Sequence, residues 1–365
     1  MCLILMVHCT AFVFTPIQMA VTARQAAWVG SLVAIVLALA VSRLALAVGP
    51  REPEGFMPAW IEAVLGTWFG RLINGMLLIF FLFKVAIVFR HIQEVVAHVV
   101  LPRTPPAVGL ALIAVPAATA ARLGVEVLSR VAQFYLMIIV AVLLVVVGTL
   151  GYAVDVNKLL PVSPVGLGPI VMSSIVPAAF LSEVVFGLWL LPYLRRREDL
   201  RRATAGAAVL AGFFTWLIIV LLLGVFGYRE VQRMLIAPVT LARSIRLGEV
   251  VERLDIVVLS TWLLAAFLKA SLFIYLASLQ AAWVGGIRLF RPLVFPIAAL
   301  GVALSLSLAE NVLRFADFIT FGAFAPFTFL HTLGLPLLLA VVLIIRRVVQ
   351  GFPGGGGPSA GRERA

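Results

Sequence analysis

Long apolar runs constrain the fold of this 365-residue chain more than any other feature. About 20 consecutive apolar residues are needed for an α-helix to cross a hydrocarbon core about 30 Å thick. The sequence offers close to ten such runs. Hydrophobic residues make up 63% of the chain and charged residues only 12%, which excludes an ordinary soluble domain. We therefore predict an all-α membrane protein with about ten transmembrane helices.

Proline- and glycine-rich connections, such as "VGPREPEGFMP" and "NKLLPVSPVGLGP", separate the predicted helices. The predicted spans are residues 2–20, 26–48, 68–97, 105–121, 127–150, 168–193, 204–226, 255–284, 292–309 and 319–345. Two amphipathic segments, 58–66 and 240–255, are predicted to lie along the membrane surface. The tail "GFPGGGGPSAGRERA" has the composition of a flexible linker. These features predict one transmembrane domain over residues 1–347 and a disordered tail over 348–365.

The net charge of +12 comes from arginines in short clusters between apolar runs, for example "RRREDLRR". Such clusters are typical of loops that fix membrane topology, whereas a nucleic-acid surface interleaves basic and aromatic residues on one folded face. Counting Lys and Arg by loop predicts that both termini are cytoplasmic. We expect contact with membrane lipid and no nucleic-acid partner.

Two predicted helices five apart contain helix breakers. The first carries "HCTAFVFTP" with Pro16, and the sixth carries "GPIVMSSIVPAAFLSE" with Pro177. Matched broken helices are typical of inverted-repeat transporters, in which the freed backbone groups meet near the midplane of the membrane. The pattern predicts a five-plus-five, LeuT/APC-like inverted repeat with helices 1 and 6 broken. Repeat 1 would cover about residues 1–150 and repeat 2 about 168–309, followed by the tenth helix at 319–345.

The polar residues at these two breaks are candidate ligand contacts. The predicted ligand-binding set is Thr10, Thr15, Ser173, Ser174, Phe180 and Glu183. Hydroxyls and the positive ends of half-helices suit a ligand carboxylate, and an aromatic ring can close a pocket. The alternative for each hydroxyl is ordinary packing. For Glu183 the alternatives are contact with a ligand amine, a gate sensitive to protonation, or a structural hydrogen bond at the Pro177 break.

Lys84 and Lys269 lie in the middle of predicted spans, where an unpaired ammonium is costly. Lys84 needs an interior partner, and Glu183 or a freed carbonyl is the natural candidate. Snorkelling is the alternative, but each end of the helix is about fifteen residues away. Lys269 is interpreted in the same way, with Ser271 and Tyr275 as neighbours on one polar seam. We also expect Glu94 to pair with Arg90, one helical turn earlier.

Catalytic and metal-binding patterns are missing from the sequence. Among the histidines, His91, His98 and His331 have no Asp or Cys partners at metal-binding spacing. Cys2 and Cys9 both lie in the first apolar run, where a thiol packs as a small hydrophobe. The chain contains no phosphate-binding loop, serine elbow or zincin helix. We expect no cofactor, no metal and no enzymatic activity.

Several blocks together resemble the GerAB-type spore germination permeases, the B subunits of germinant receptors. These blocks are "LPRTPP", "GVEVLSR", "FLSEVVFGLWLLPYL" and "RSIRLGEVVERLD" followed by Trp262 and the "KAS" of Lys269. The resemblance runs from about Pro16 to Arg346. It implies a branch of the amino acid, polyamine and organocation transporter superfamily in the inner membrane of a bacterial endospore. It also implies an A-type and a C-type partner subunit, and a small nutrient ligand, commonly an amino acid.

The chain departs from that family pattern in three places. It begins inside the first helix, so a misassigned start is expected. Gln25 and Ala26 stand before Ala27–Trp28, where members often carry an aspartate. The fifth helix carries only Arg130, whereas proton-coupled relatives place a lysine there. This last departure favours a receptor that binds a nutrient and signals to partners over the alternative, an active amino acid permease. A membrane-embedded enzyme ranks last, and a sugar or nucleoside remains an alternative ligand.

Overall fold

A computed structural model describes residues 14–50, 55–100, 103–162, 165–194, 196–244, 254–320 and 322–350. Those residues form helices and their connections, with no strand among them. This confirms the predicted all-α membrane class.

Fifteen α-helices are labelled here in chain order. The first eight are α1 Thr15–Ala23, α2 Ala27–Val48, α3 Met57–Leu65, α4 Thr67–Val95, α5 Pro106–Leu123, α6 Val125–Leu150, α7 Leu167–Leu181 and α8 Arg197–Phe226. The others are α9 Tyr228–Val231, α10 Ala237–Arg243, α11 Leu254–Val284, α12 Val294–Ser307, α13 Val312–Thr320, α14 Phe324–Phe329 and α15 Leu335–Gln350. Two continuations matter below: a 3-10 segment, Ser182–Tyr193, extends α7, and a π-helical turn, Leu330–Gly334, joins α14 to α15.

Eight helices in the described ranges are long and apolar enough to span a membrane, and a bent pair makes up to nine. The predicted span 292–309 corresponds to helix α12, and a sharp bend follows it. Helix α12 covers only Val294–Ser307, and the chain bends by 104° between Arg291–Ser307 and Val312–Ile319. Fourteen residues rise only about 21 Å, which is shorter than the hydrocarbon core. The count of ten and the inverted repeat stay predictions.

Glycines with positive φ end one helix and begin the next without a loop. Gly66 (φ 86°) separates α3 from α4, and Gly124 (φ 96°) separates α5 from α6. A residue with a Cβ is strained in this region of backbone conformation, so these two positions need glycine. The chain therefore turns sharply at the ends of its helices.

Helix α7 and its 3-10 segment lie at the centre of the bundle. In the most apolar stretch of the span Leu167–Tyr193, 94% of the residues are buried, against 22% for the span that contains α6. Helix α2 packs along α7, and helix α8 packs against α2. Helix α6 instead exposes Phe134, Met137 and Leu144, as expected for a face in contact with lipid. The most enclosed span is thus the one that carries Pro177, one of the two predicted helix breaks.

Short helices lie where the sequence predicts surface segments. Helix α3 occupies Met57–Leu65, in agreement with the segment predicted over 58–66. Helix α10 covers the beginning of the second predicted segment, whereas residues 245–253 lie outside the described residues. Residues 351–365, most of the predicted tail, also lie outside them.

Candidate functional site

The end of α7 is shaped by residues that disturb α-helical hydrogen bonding. Pro177 lies inside the helix, has no N–H and so cannot donate to the carbonyl four residues earlier. The Ser182 hydroxyl lies 2.7 Å from the Ala179 carbonyl oxygen, an i to i−3 contact that favours tight turns. From Ser182 the chain continues for twelve residues as a 3-10 helix. Runs of that length are uncommon, and such stretches often mark hinges.

Glu183, the second residue of this 3-10 segment, lies between two lysines. The Lys84 Nζ atom donates to Glu183 Oε1 at 2.9 Å, and Lys269 Nζ lies 2.8 Å from Oε2. Lys84 belongs to α4 and Lys269 to α11. The pairing of Lys84 with Glu183, which the sequence suggests, is therefore present. Lys269 shares the same carboxylate, so three distant parts of the chain meet at one buried carboxylate.

The charges of this Lys84–Glu183–Lys269 cluster do not balance. All three side chains are 1% exposed. With every group ionised, two ammoniums and one carboxylate carry a formal charge of +1. Burying charge is expensive unless each charge is paired and hydrogen-bonded. The excess positive charge makes the cluster attractive to an anionic group.

Aromatic rings surround both lysines. Lys84 Nζ lies 4.2 Å from the centroid of the Phe324 ring and 5.2 Å from that of Phe80. Lys269 Nζ lies 5.5 Å from the centroid of Phe180. Ring faces attract cations within about 6 Å. The rings therefore offset part of the positive charge and exclude water from the cluster.

The opposite wall of the cluster comes from α14 and the π-helical turn, which the sequence analysis did not associate with the site. Lys84 Nζ donates to Thr328 Oγ1 at 2.8 Å. The hydroxyl oxygens of Ser182 and Thr332 lie 2.9 Å apart. The "FTFLHT" motif places Thr328 and Thr332 four residues apart on one helical face, and this spacing is the signal that could have found them. Two irregular helical segments therefore meet at the lysines.

The predicted ligand-binding residues are brought together only in part. Thr10 lies outside the described residues. Thr15 is buried at the start of α1, which packs against α7. Ser173 and Ser174 are buried in α7, and their hydroxyls donate to the Ile170 and Val171 carbonyls of the same helix. Phe180 contacts Phe324 at 4.3 Å between ring centroids and borders both lysines.

His91 contributes an unsatisfied polar atom close to this cluster. Its Nδ1 atom lies 2.9 Å from the Ile87 carbonyl oxygen, whereas its buried Nε2 atom has no hydrogen-bond partner among the described residues. The ring centroid lies 5.5 Å from that of Phe14 and 6.3 Å from that of Phe180. A buried polar atom without a partner costs free energy, so this nitrogen is a candidate contact for a ligand.

A chain of hydrogen bonds, buried except at its Glu62 end, leads from the 3-10 segment to helix α3. Trp189 Nε1 donates to Gln280 Oε1 at 3.0 Å, and Gln280 Nε2 donates to Asn74 Oδ1 at 3.0 Å. Asn74 Nδ2 in turn donates to Glu62 Oε1 at 3.1 Å. We call these four residues, Trp189, Gln280, Asn74 and Glu62, the polar ladder. The polar ladder therefore connects the 3-10 segment that carries Glu183 to α3 through side-chain hydrogen bonds.

Two other sequence expectations involve polar residues outside the cluster. Arg90 Nε donates to Glu94 Oε1 at 2.6 Å, so the expected pair is present, and it is buried. Ser271 donates to the Phe267 carbonyl of its own helix, and Tyr275 donates to Tyr193 OH at 2.6 Å. No group of three metal-binding side chains occurs in the part of the chain that the structure describes.

The fold and the site define a multi-pass helical membrane protein with an ionic cluster at a broken central helix. A sequence model for a family described as "Spore germination protein" matches residues 1–312, and the chain belongs to this family. It is 25% identical over 337 residues to "Spore germination protein KB" of Bacillus subtilis (strain 168), covering 88% of this chain and 87% of that protein. It is 28% identical over 224 residues to "Spore germination protein A2" of the same strain, covering 60% of each. The family is one of germination proteins and not of enzymes.

Proposed function

We propose that this protein is the membrane subunit of a spore germinant receptor. It binds a small nutrient, an amino acid in the first instance, and signals to A-type and C-type partner subunits in the inner membrane of the spore. The observation that carries this proposal is the buried Lys84–Glu183–Lys269 cluster at the irregular end of α7. Membership of the germination family adds the biological context.

The chemistry of the cluster suits a zwitterion. A ligand carboxylate would pair with an ammonium of the cluster, and a ligand amine would pair with Glu183. The excess positive charge favours arrival of the carboxylate. Phe180 and the unsatisfied Nε2 atom of His91 would border the ligand. Thr10, Thr15, Ser173 and Ser174 remain proposed contacts, and Ser173 and Ser174 would have to redirect hydroxyls that now bond to their own helix.

Ligand entry requires the site to open, because the three ionic side chains are almost wholly enclosed. The 3-10 segment Ser182–Tyr193 and the π-helical turn Leu330–Gly334 are the elements that would move. Irregular helical hydrogen bonding is weaker, and local opening draws on such regions. The polar ladder would carry that movement from Trp189 to Glu62 on α3. A ligand that binds the open arrangement better shifts the population toward it.

Ligand-dependent thermal stabilisation tests the binding step. The purified full-length chain is screened with the twenty amino acids, inosine and glucose, and a ligand that binds the native state raises the melting temperature. We expect one nutrient to raise it, and we expect Glu183→Gln and Thr15→Val to abolish the shift. Arg233→Gln is the matched control, because Arg233 is 78% exposed and outside the site. A shift that survives both site variants would contradict the proposed location.

Reconstitution in liposomes separates the receptor from an active permease. The receptor predicts nutrient binding without accumulation of the radiolabelled nutrient when a proton or sodium gradient is imposed. Gradient-driven accumulation by this chain alone would overturn the receptor proposal and establish the permease. Both functions use the same kind of two-state bundle, so this measurement is needed in addition to binding.

A further inference from the structure

A basic groove lies where α2 ends and α8 begins, away from the intramembrane cluster. It has a volume of about 430 Å³ and is lined by Arg43, Leu46, Ala47, Arg197, Glu198 and Arg201. Three guanidinium groups and one carboxylate give the lining a formal charge of +2. The apolar walls come from the last turns of α2, a membrane-spanning helix. The groove therefore combines an apolar face with positive charge at the end of two spans.

Arg197 fixes the shape of the groove. Its guanidinium donates to the Leu46 carbonyl, and also to the Gly49 carbonyl at 3.3 Å. Carbonyls at the C-terminus of a helix lack partners within the helix, so this contact caps α2. Arg43 and Arg201 are exposed on opposite sides of the groove wall, one on each helix. Neither is ion-paired with a carboxylate among the described residues.

We propose that this groove binds the headgroup of an anionic phospholipid. Guanidinium groups bind phosphate oxygens in a bidentate geometry, and basic pockets between transmembrane helices are typical headgroup sites. The ends of two spans place the groove at the level of lipid headgroups, and Leu46 with Ala47 would contact the glycerol and first acyl carbons. A free phosphate would not use the apolar wall. An acidic protein segment would not require a position at the bilayer surface.

Titration with soluble short-chain lipids tests the proposal on the full-length chain in detergent. Dioctanoyl phosphatidylglycerol is compared with dioctanoyl phosphatidylcholine, glycerol phosphate and inorganic phosphate, using the melting temperature as readout. Phosphatidylglycerol alone should stabilise the protein. In the variant Arg43→Gln/Arg201→Gln, its apparent affinity should fall roughly 30-fold, from the loss of two headgroup-level arginines. The variant Arg43→Lys/Arg201→Lys should have an affinity between those of the glutamine variant and the wild type. Lysine keeps the positive charge but cannot bind phosphate in the bidentate geometry of a guanidinium group.

The control Arg71→Gln/Arg202→Gln removes the same charge from exposed positions that do not line the groove. It should bind phosphatidylglycerol as the wild type does. Equal loss of affinity in the two glutamine variants would mean attraction by net charge alone and would overturn the proposal. Equal stabilisation by inorganic phosphate would assign the groove to free phosphate. No stabilisation of any chain by phosphatidylglycerol would also overturn the proposal and leave an acidic partner segment as the occupant to test.

Discussion

At the scale of single residues, the sequence identifies the charged members of the site but not their arrangement. Lys84, Lys269 and Glu183 stand out because charges inside apolar spans are rare and costly. That one carboxylate serves both lysines depends on how α4, α7 and α11 pack, which no local pattern encodes. Thr328 and the Nε2 atom of His91 escape prediction for the same reason. A threonine or a histidine becomes a candidate for function only through the residues that the fold brings next to it.

The shared carboxylate predicts an unequal response to two substitutions in the cluster. Glu183→Gln leaves two buried ammoniums without a counter-charge, and breaking a buried pair in this way costs about 3–5 kcal/mol. Lys84→Met leaves Glu183 paired with Lys269 in a neutral pair, so its cost should be smaller. We expect the melting temperature of the purified protein to fall more for Glu183→Gln. Equal or reversed losses would show that charge pairing does not stabilise the cluster.

At the scale of helices, apolar periodicity and breakers locate most elements well. The predicted span 68–97 corresponds to α4, and the predicted span 127–150 corresponds to α6. The predicted span 292–309 also corresponds to a helix, α12, but composition does not reveal the sharp bend that follows it. The sequence also gives no sign of the long 3-10 segment, because Pro177 predicts a break and not the geometry that follows it. The presence of a helix can thus be predicted from the local sequence, whereas bends and changes of helix type depend on packing against other helices.

The contact between α2 and α8 predicts that alanine substitutions at two glycines of α8 have opposite effects on stability. A Cβ at Gly212 would overlap the Ile35 side chain of α2, whereas a Cβ at Gly206 meets nothing within 4 Å. Gly212→Ala should therefore destabilise the protein by about 1–3 kcal/mol through overpacking. Gly206→Ala should be neutral or stabilising, by up to about 1 kcal/mol, from improved helix propensity. Thermal unfolding of both variants checks this, and equal effects would contradict close packing at Gly212.

The polar ladder predicts that replacing the buried Gln280 destabilises the protein far more than replacing the partly buried Gln93. Gln280→Leu removes the acceptor of Trp189 Nε1 and the donor to Asn74 Oδ1, at about 1–3 kcal/mol for each group left unsatisfied. Gln93→Leu is the matched control, because Gln93 Oε1 has no hydrogen-bond partner in the described structure to lose. Hydrogen exchange at α3 should rise in the first variant only. Unchanged hydrogen exchange at α3 in Gln280→Leu would show that the polar ladder does not stabilise this helix.

At the scale of the whole molecule, we predict that the uneven distribution of arginines sets the orientation in the membrane. Short arginine-rich loops remain on the cytoplasmic side during insertion. Helix α8 has 30 residues and rises about 45 Å, which is long enough for its two ends to reach opposite faces of the bilayer. Arg202 marks the basic end, and Arg233 follows the other end. The orientation of α8 therefore decides on which side of the membrane the basic groove and α3 are accessible to lipids and partner proteins.

Cysteine labelling measures that orientation directly. Cys2 and Cys9 are replaced by serine, and a single cysteine is introduced as Arg202→Cys or Arg233→Cys. With both termini cytoplasmic, a membrane-impermeant maleimide should label Arg233→Cys on intact cells and should label Arg202→Cys only after permeabilisation. The two variants control for each other, because Arg202 lies near the start of α8 and Arg233 lies just beyond its other end. The reverse pattern would place the arginine cluster outside, and the groove would then face the outer leaflet and not the cytoplasmic lipids.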